Sequence, residues 1–211
     1  MVTPRLRTSR TVPRQAIVAL FQQSPRWPEV STALALDVLA VMGSANGFNL
    51  ALGCMTATDA DAIAPKMPAG VELHVALADA VMPAAVELAR SYAQRGFERI
   101  VVIGADTIGV STRMLSTASS MLESEPVAIG PTPEGQVFAV AASDIRVLEL
   151  DEQLEAAFGA LTAGERLTIQ ALRLEPLIRL REIDDLDRLT EFITGLERVV
   201  PRTVAVLQES N

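Results

Sequence analysis

Residues 97–141 constrain the fold of this chain more than any other stretch. Ile100, Val101, Val102 and Ile103, closed by Gly104, form an apolar run too short for a helix and rich in β-branched side chains, the pattern of a strand buried on both faces. Asp106 comes directly after it. A carboxylate is thereby expected at the carboxyl end of a central strand, the rim of an open α/β sheet where ligands bind. Ser111 or Thr112 caps the helix that follows, in which Met114, Leu115, Ala118, Met121 and Leu122 recur at helical spacing. A second buried strand over 127–129 leads through the turn Gly130-Pro131-Thr132-Pro133-Glu134-Gly135 into a third over 137–140.

The flanking chain repeats the alternation. Residues 16–21 read as a first buried strand, followed by the loop Gln22-Gln23-Ser24-Pro25-Arg26-Trp27-Pro28 and a helix from Glu29 carrying Leu34, Leu36, Val38, Leu39, Val41 and Met42. Strands over 48–54 and 71–77, a short helix between them and a helix over 79–94 ending at Arg95-Gly96 complete the first half. Beyond residue 141 the pattern predicts a helix over 151–161, a strand or helix over 167–174, and an edge strand over 203–207.

The order of apolar strand, Gly104-Ala105-Asp106-Thr107, helix, Val127-Ala128-Ile129-Gly130-Pro131 and Glu134-Gly135 before an aromatic-bearing strand resembles a known family. It is similar to the small bacterial GT-A glycosyltransferase-like proteins, the nucleotide-diphospho-sugar transferases. These are in turn similar to the nucleotidyltransferases that build molybdenum-cofactor dinucleotides and guanylylate phospholactate. The resemblance implies a three-layer α/β/α sandwich with a mostly parallel central sheet. It also implies glycosyl or nucleotidyl transfer dependent on Mg²⁺ or Mn²⁺, with a nucleotide or nucleotide-sugar as ligand. Carried over by position, the metal falls to Asp106 and, through the closing motif Glu182-Ile183-Asp184, to Asp184. The nucleotide loop leaves Ser24, Arg26 and Thr32, and the later turn offers Glu134 and Gly135 to the substrate.

The departures from that family are as informative. Its loop pattern carries a lysine and an arginine against the phosphates, whereas Glu29-Val30-Ser31-Thr32-Ala33 stand here, and Val81 takes the place of a further arginine. A diphosphate must meet cations, metal or oriented N–H groups, and the cations are missing. Each candidate also has a plainer reading. Arg26 fits a solvated loop, Trp27 a side chain folded over the core, Lys66 an exposed loop cation, His74 a sheet residue with a local hydrogen bond, and Asp184 a helix cap.

Composition removes other classes. A net charge of −8 argues against nucleic acid and anionic membranes as partners, although Arg5, Arg7, Arg10 and Arg14 form an acid-free start read as a flexible basic tail over 1–14. Residues 15–211 suffice for one domain. A single cysteine, Cys54, excludes an intrachain disulfide, and no apolar run approaches the roughly 18 residues of a membrane span, so a cytoplasmic location is expected. Zinc spacing, a Walker loop, a GxSxG elbow and a second histidine are all missing from the sequence. Two classes remain: a metal-dependent transferase, or a catalytically inactive binding or scaffolding protein on the same fold, for which a homodimer is one arrangement.

Overall fold

Seven strands form one sheet in the computed structural model, which describes residues 13–75, 81–134, 136–143 and 171–209. They are β1 (Gln15–Phe21), β2 (Phe48–Cys54), β3 (Val71–Val75), β4 (Arg99–Gly104), β5 (Val127–Pro131), β6 (Val137–Ala142) and β7 (Ala171–Arg173). The order across the sheet is β3-β2-β1-β4-β6-β5-β7, with β6 alone antiparallel to its neighbours. The helices are α1 (Pro28–Gly43), α2 (Ala57–Ile63), α3 (Val81–Gln94), α4 (Thr112–Met121), α5 (Leu186–Ile193) and α6 (Pro201–Glu209).

Alternation along the strands divides the core into two layers. Ile17, Ala19 and Phe21 of β1 pack with Ala35, Val38, Leu39 and Met42 of α1, Ile63 of α2 and Leu115 of α4. Ala16, Val18 and Leu20 face the other way, against Ala85, Leu88, Ala89 and Tyr92 of α3. Side chains two residues apart share a face, so a strand buried on both sides must be apolar, as β1 is from Ala16 and β4 from Ile100. Each fully buried Leu, Ile or Phe contributes about 1.5–3 kcal/mol. The three-layer α/β/α arrangement expected from the sequence is therefore the one observed. Gly130 serves the same packing, because a Cβ there would come within 2.5 Å of the Phe138 ring.

A third cluster wraps the carboxyl-terminal segment around α1. Val30 and Leu34 pack with Ile108, Ile178, Leu180, Ile183, Leu189, Ile193, Val200 and Leu207, and the partly buried Trp27 lies against them, folded over the core as its plainer reading had it. The edge strand expected over 203–207 is instead helix α6. Its β-branched residues imitate a strand, but Pro201 suits a first helical turn, and Thr203 and Leu207, four residues apart, are the ones buried. Asp37 of α1, with its side chain fully buried, accepts from the Arg202 and Thr203 amides at 3.2 and 3.0 Å and from Thr203 Oγ1 at 2.9 Å, and so caps α6 from another helix.

Most other boundaries agree with the sequence reading within a residue or two. The helix expected over 151–161, the first residues of the 167–174 segment and the start of the 79–94 helix lie outside the described residues. So do residues 1–12 of the expected tail. Arg14 at its end is docked: its guanidinium donates to the Arg95 carbonyl at 2.9 Å and lies 4.4 Å over the Phe97 ring.

At the β3 edge, Glu72 joins strand to helix. Arg95 grips its carboxylate with two bonds of 2.8 and 2.9 Å, and the Tyr92 hydroxyl donates to it at 2.9 Å, while His74 Nε2 lies 3.1 Å from the Tyr92 oxygen. Arg95 above all holds the Glu72 carboxyl down to about 2, from an ordinary value of 4.5. A carboxyl depressed in the folded state stabilises fully above its unfolded value and loses that contribution as pH falls toward the folded one. Chemical denaturation at pH 6 and pH 3 is therefore expected to show Glu72→Gln less stable than wild type at pH 6, with a smaller gap at pH 3. A gap that is constant with pH would contradict the ion pair.

Candidate functional site

The site is built on the carboxyl end of β4. Ala105 continues the ladder by donating to the Leu20 carbonyl at 2.8 Å, and the chain then turns outward at Asp106. A short ribbon from the far end of the sequence meets it there. Ile108 N donates to the Ile178 carbonyl at 2.9 Å, Leu180 N to the Asp106 carbonyl at 2.7 Å, and Thr107 bridges antiparallel to Arg179. The sequence reading sets Glu182 and Asp184 opposite Asp106; it is the segment before them, 178–180, that backbone hydrogen bonds hold against 106–108.

The side chains that meet are different from the expected pair. Arg179, with its side chain only 5% exposed, donates to Asp106 Oδ1 from Nε at 2.9 Å and from Nη2 at 2.6 Å, and its Nη1 reaches the Val137 carbonyl at 3.2 Å. Arg181 donates from Nε to the other oxygen, Oδ2, at 2.6 Å. Gly104 makes room for this arrangement, because a Cβ there would lie 2.7 Å from Asp106 Oδ1 and 2.9 Å from Arg179 Nη2. Glu182 turns elsewhere, accepting from Thr132 Oγ1 at 2.5 Å and from the Arg179 amide at 2.9 Å. Asp184 lies on the surface, its side chain 77% exposed and 3.7 Å from Arg188, while the neighbouring Asp185 caps α5 by accepting from Arg188 N at 2.7 Å.

The loop after β1 forms the opposite wall of a cleft of about 160 Å³ lined by Gln22, Gln23, Ser24, Pro25, Ser31, Asp106, Leu180 and Arg181. Its backbone is held from within. The Gln23 amide donates to Asp59 Oδ1 at 2.8 Å, the Ser24 amide to Ser31 Oγ at 3.1 Å, and the Trp27 amide to Ser24 Oγ at 3.2 Å. Three N–H groups of this wall therefore have partners within the protein. Of the expected nucleotide residues, Ser24 lines the cleft. Thr32 is buried and donates to the Pro28 carbonyl at 2.9 Å, and Arg26 is exposed with its guanidinium 5.1 Å from the centre of the Trp27 ring. Glu134 pairs with Arg188 at 3.0 Å and ties the β5–β6 turn to α5; Gly135 lies outside the described residues.

The donor set as arranged does not fit a divalent cation. Mg²⁺ and Mn²⁺ need free carboxylate oxygens, and both oxygens of Asp106 accept guanidinium N–H groups. No cluster of three or more His, Cys, Asp or Glu residues able to hold a metal occurs among the described residues. The arginines themselves had a sequence signal. Ile178-Arg179-Leu180-Arg181 holds two basic residues among apolar ones; Arg179 is extended, Leu180–Glu182 turns as a short 3-10 helix, and both arginines reach Asp106. Reading that stretch for its acids alone passes over them.

Known proteins share the family and the fold. A family model described as an uncharacterized protein conserved in bacteria, DUF2064, matches residues 40–157. A search of curated proteins finds no match. Among solved structures, a candidate nucleotide-diphospho-sugar transferase from Desulfovibrio desulfuricans superposes with a TM-score of 0.62 at 12% identity, over 78% of this chain and 81% of that one. The 4-diphosphocytidyl-2C-methyl-D-erythritol synthase of Anaerococcus prevotii gives 0.62 at 10% identity, over 88% and 96%. The Rv0371c protein of Mycobacterium tuberculosis, in a complex with manganese, gives 0.58 at 16% identity, over 87% and 100%. The fold is that of the nucleotide-sugar and cytidylyl transferases. Among the described residues no helix is long and apolar enough to cross a membrane.

Proposed function

The chain belongs to the DUF2064 family, and from that premise we propose that it binds a nucleoside-diphosphate ligand of the nucleotide-sugar type in the cleft between the β1–α1 loop and Asp106, as a transferase-like protein. The observation that carries this reading is the position of the cleft. It opens at the carboxyl ends of the neighbouring strands β1 and β4, between connections that leave in opposite directions, through α1 to β2 and through α4 to β5, the switch point where open α/β sheets receive their ligands. Polar side chains line it on both walls, and Arg181 supplies a cation for an anionic ligand. Glycosyl or nucleotidyl transfer is the chemistry this reading assigns, with Arg181, held by Asp106, at the phosphates and Ser24 across from it.

Metal dependence belongs to this reading only if Asp106 exchanges its arginines for Mg²⁺ or Mn²⁺. The occupied carboxylate favours the second reading, a binding protein without transfer activity. A thermal-shift panel of nucleoside diphosphates and nucleotide sugars, each with and without Mn²⁺, tests the proposal. The expected result is a saturable rise in Tm for at least one base, because a ligand bound only by the folded state stabilises it by mass action. Silence across the panel would contradict nucleotide binding and leave the scaffold. A shift without turnover of any nucleotide sugar would leave the binding protein.

A further inference from the structure

We infer that the Arg181 guanidinium, tethered by Asp106, is the phosphate ligand of this cleft, and that the anion is held without a divalent cation. The inference rests on the nucleotide-binding reading and specifies how the charge is met. Arg181 commits only Nε, at 2.6 Å, to Asp106 Oδ2, and its two terminal amino groups have no hydrogen-bond partner among the described residues. Its side chain is one-third exposed and borders the cleft, while the carboxylate that fixes it is 9% exposed. A buried acid thus aims a guanidinium whose outer N–H groups are free to take two oxygens of one phosphate, the bidentate geometry that distinguishes arginine from lysine.

The local charge balance agrees. Asp106 faces two guanidinium groups, Arg179 on one oxygen and Arg181 on the other, leaving one positive charge in excess at the contact. Glu182 does not pair with Arg181, since its oxygens go to Thr132 and to the Arg179 amide. Across the cleft Ser24 Oγ accepts from the Trp27 amide, and its own proton has no acceptor among the described residues, so it is available to a phosphate oxygen. With the Gln23, Ser24 and Trp27 amides fixing the loop and Arg181 already oriented, the anion meets a site that needs little ordering to bind it. The cations missing from the loop are replaced by one that arrives from the carboxyl-terminal segment.

The test is isothermal titration of pyrophosphate, and separately of the nucleoside diphosphate that gives the largest thermal shift, in buffer containing EDTA. Wild type is expected to bind both, with affinity falling as salt rises. Arg181→Gln is expected to weaken binding about 10–100-fold, the loss appropriate to hydrogen bonds between charged groups, and Arg181→Lys is expected to recover only part of it. Circular dichroism melts confirm that each variant is folded, and the salt dependence of wild type gives a reading that needs no variant. Nucleotide binding that appears only with Mn²⁺, or that Arg181→Gln leaves unchanged, would overturn the inference while sparing the nucleotide reading. Metal-free pyrophosphate binding through Arg181 with no nucleotide bound would do the reverse. Binding of neither would overturn both.

Discussion

Replacing Asp106 by alanine is expected to destabilise the protein by about 3–5 kcal/mol, the cost of leaving a buried charge without its partner. Arg179 has its side chain 5% exposed, and it loses the oxygen that accepts two of its N–H groups, keeping only the Val137 carbonyl. Against a typical domain stability of roughly 5–15 kcal/mol the loss is a large fraction of the total. Urea denaturation of Asp106→Ala measures it. The double variant Asp106→Leu with Arg179→Met is expected to recover most of the loss, because an apolar pair of similar size removes both charges together. A carboxylate free to bind metal would behave in the opposite way, since its removal in metal-free buffer costs little. A neutral or stabilising Asp106→Ala would therefore contradict the arginine pairing.

Asp37→Ala is expected to cost about 3 kcal/mol, again by denaturation. The variant removes a helix cap and strands several buried donors at the start of α6, each worth on the order of 1 kcal/mol or more. Asp37→Asn keeps one acceptor oxygen and is expected to fall between wild type and Asp37→Ala. The effect reaches the site indirectly. Helix α6 closes the cluster in which Ile178, Leu180 and Ile183 pack, and that packing positions the segment bearing Arg179 and Arg181. Asp37→Ala is accordingly expected to raise amide exchange around residues 178–183 as well as in α6. Exchange unchanged in both segments would show that the cap does not support them.

What the sequence discloses follows from how local each cause is. The runs at 16–21 and 100–104 predict buried strands because burial on both faces demands continuous apolar side chains, and β1 and β4 are those strands. Ser111 predicts its cap because the hydroxyl accepts from Met114 N three residues away. The segment 203–207 misleads because its β-branched residues satisfy a strand pattern, while the determinant of its helix, Asp37, lies about 165 residues away in the chain. The candidate site divides in the same way. Asp106 is legible as an acid at a strand end, but its occupancy by Arg179 and Arg181 depends on an antiparallel ribbon between 106–108 and 178–180 that no local pattern announces. The expected partner Asp184 sits three residues beyond Arg181, within reach of Arg188 at the start of α5.

The most direct test of an Asp106 held by arginines is a titration of metal-free protein with Mn²⁺ followed by electron paramagnetic resonance of the free ion. If Arg179 and Arg181 occupy both carboxylate oxygens, the free-ion signal rises in step with added Mn²⁺ in wild type and in Asp106→Asn alike. Loss of one equivalent of signal per chain in wild type, restored by Asp106→Asn, would show that the carboxylate takes the metal instead.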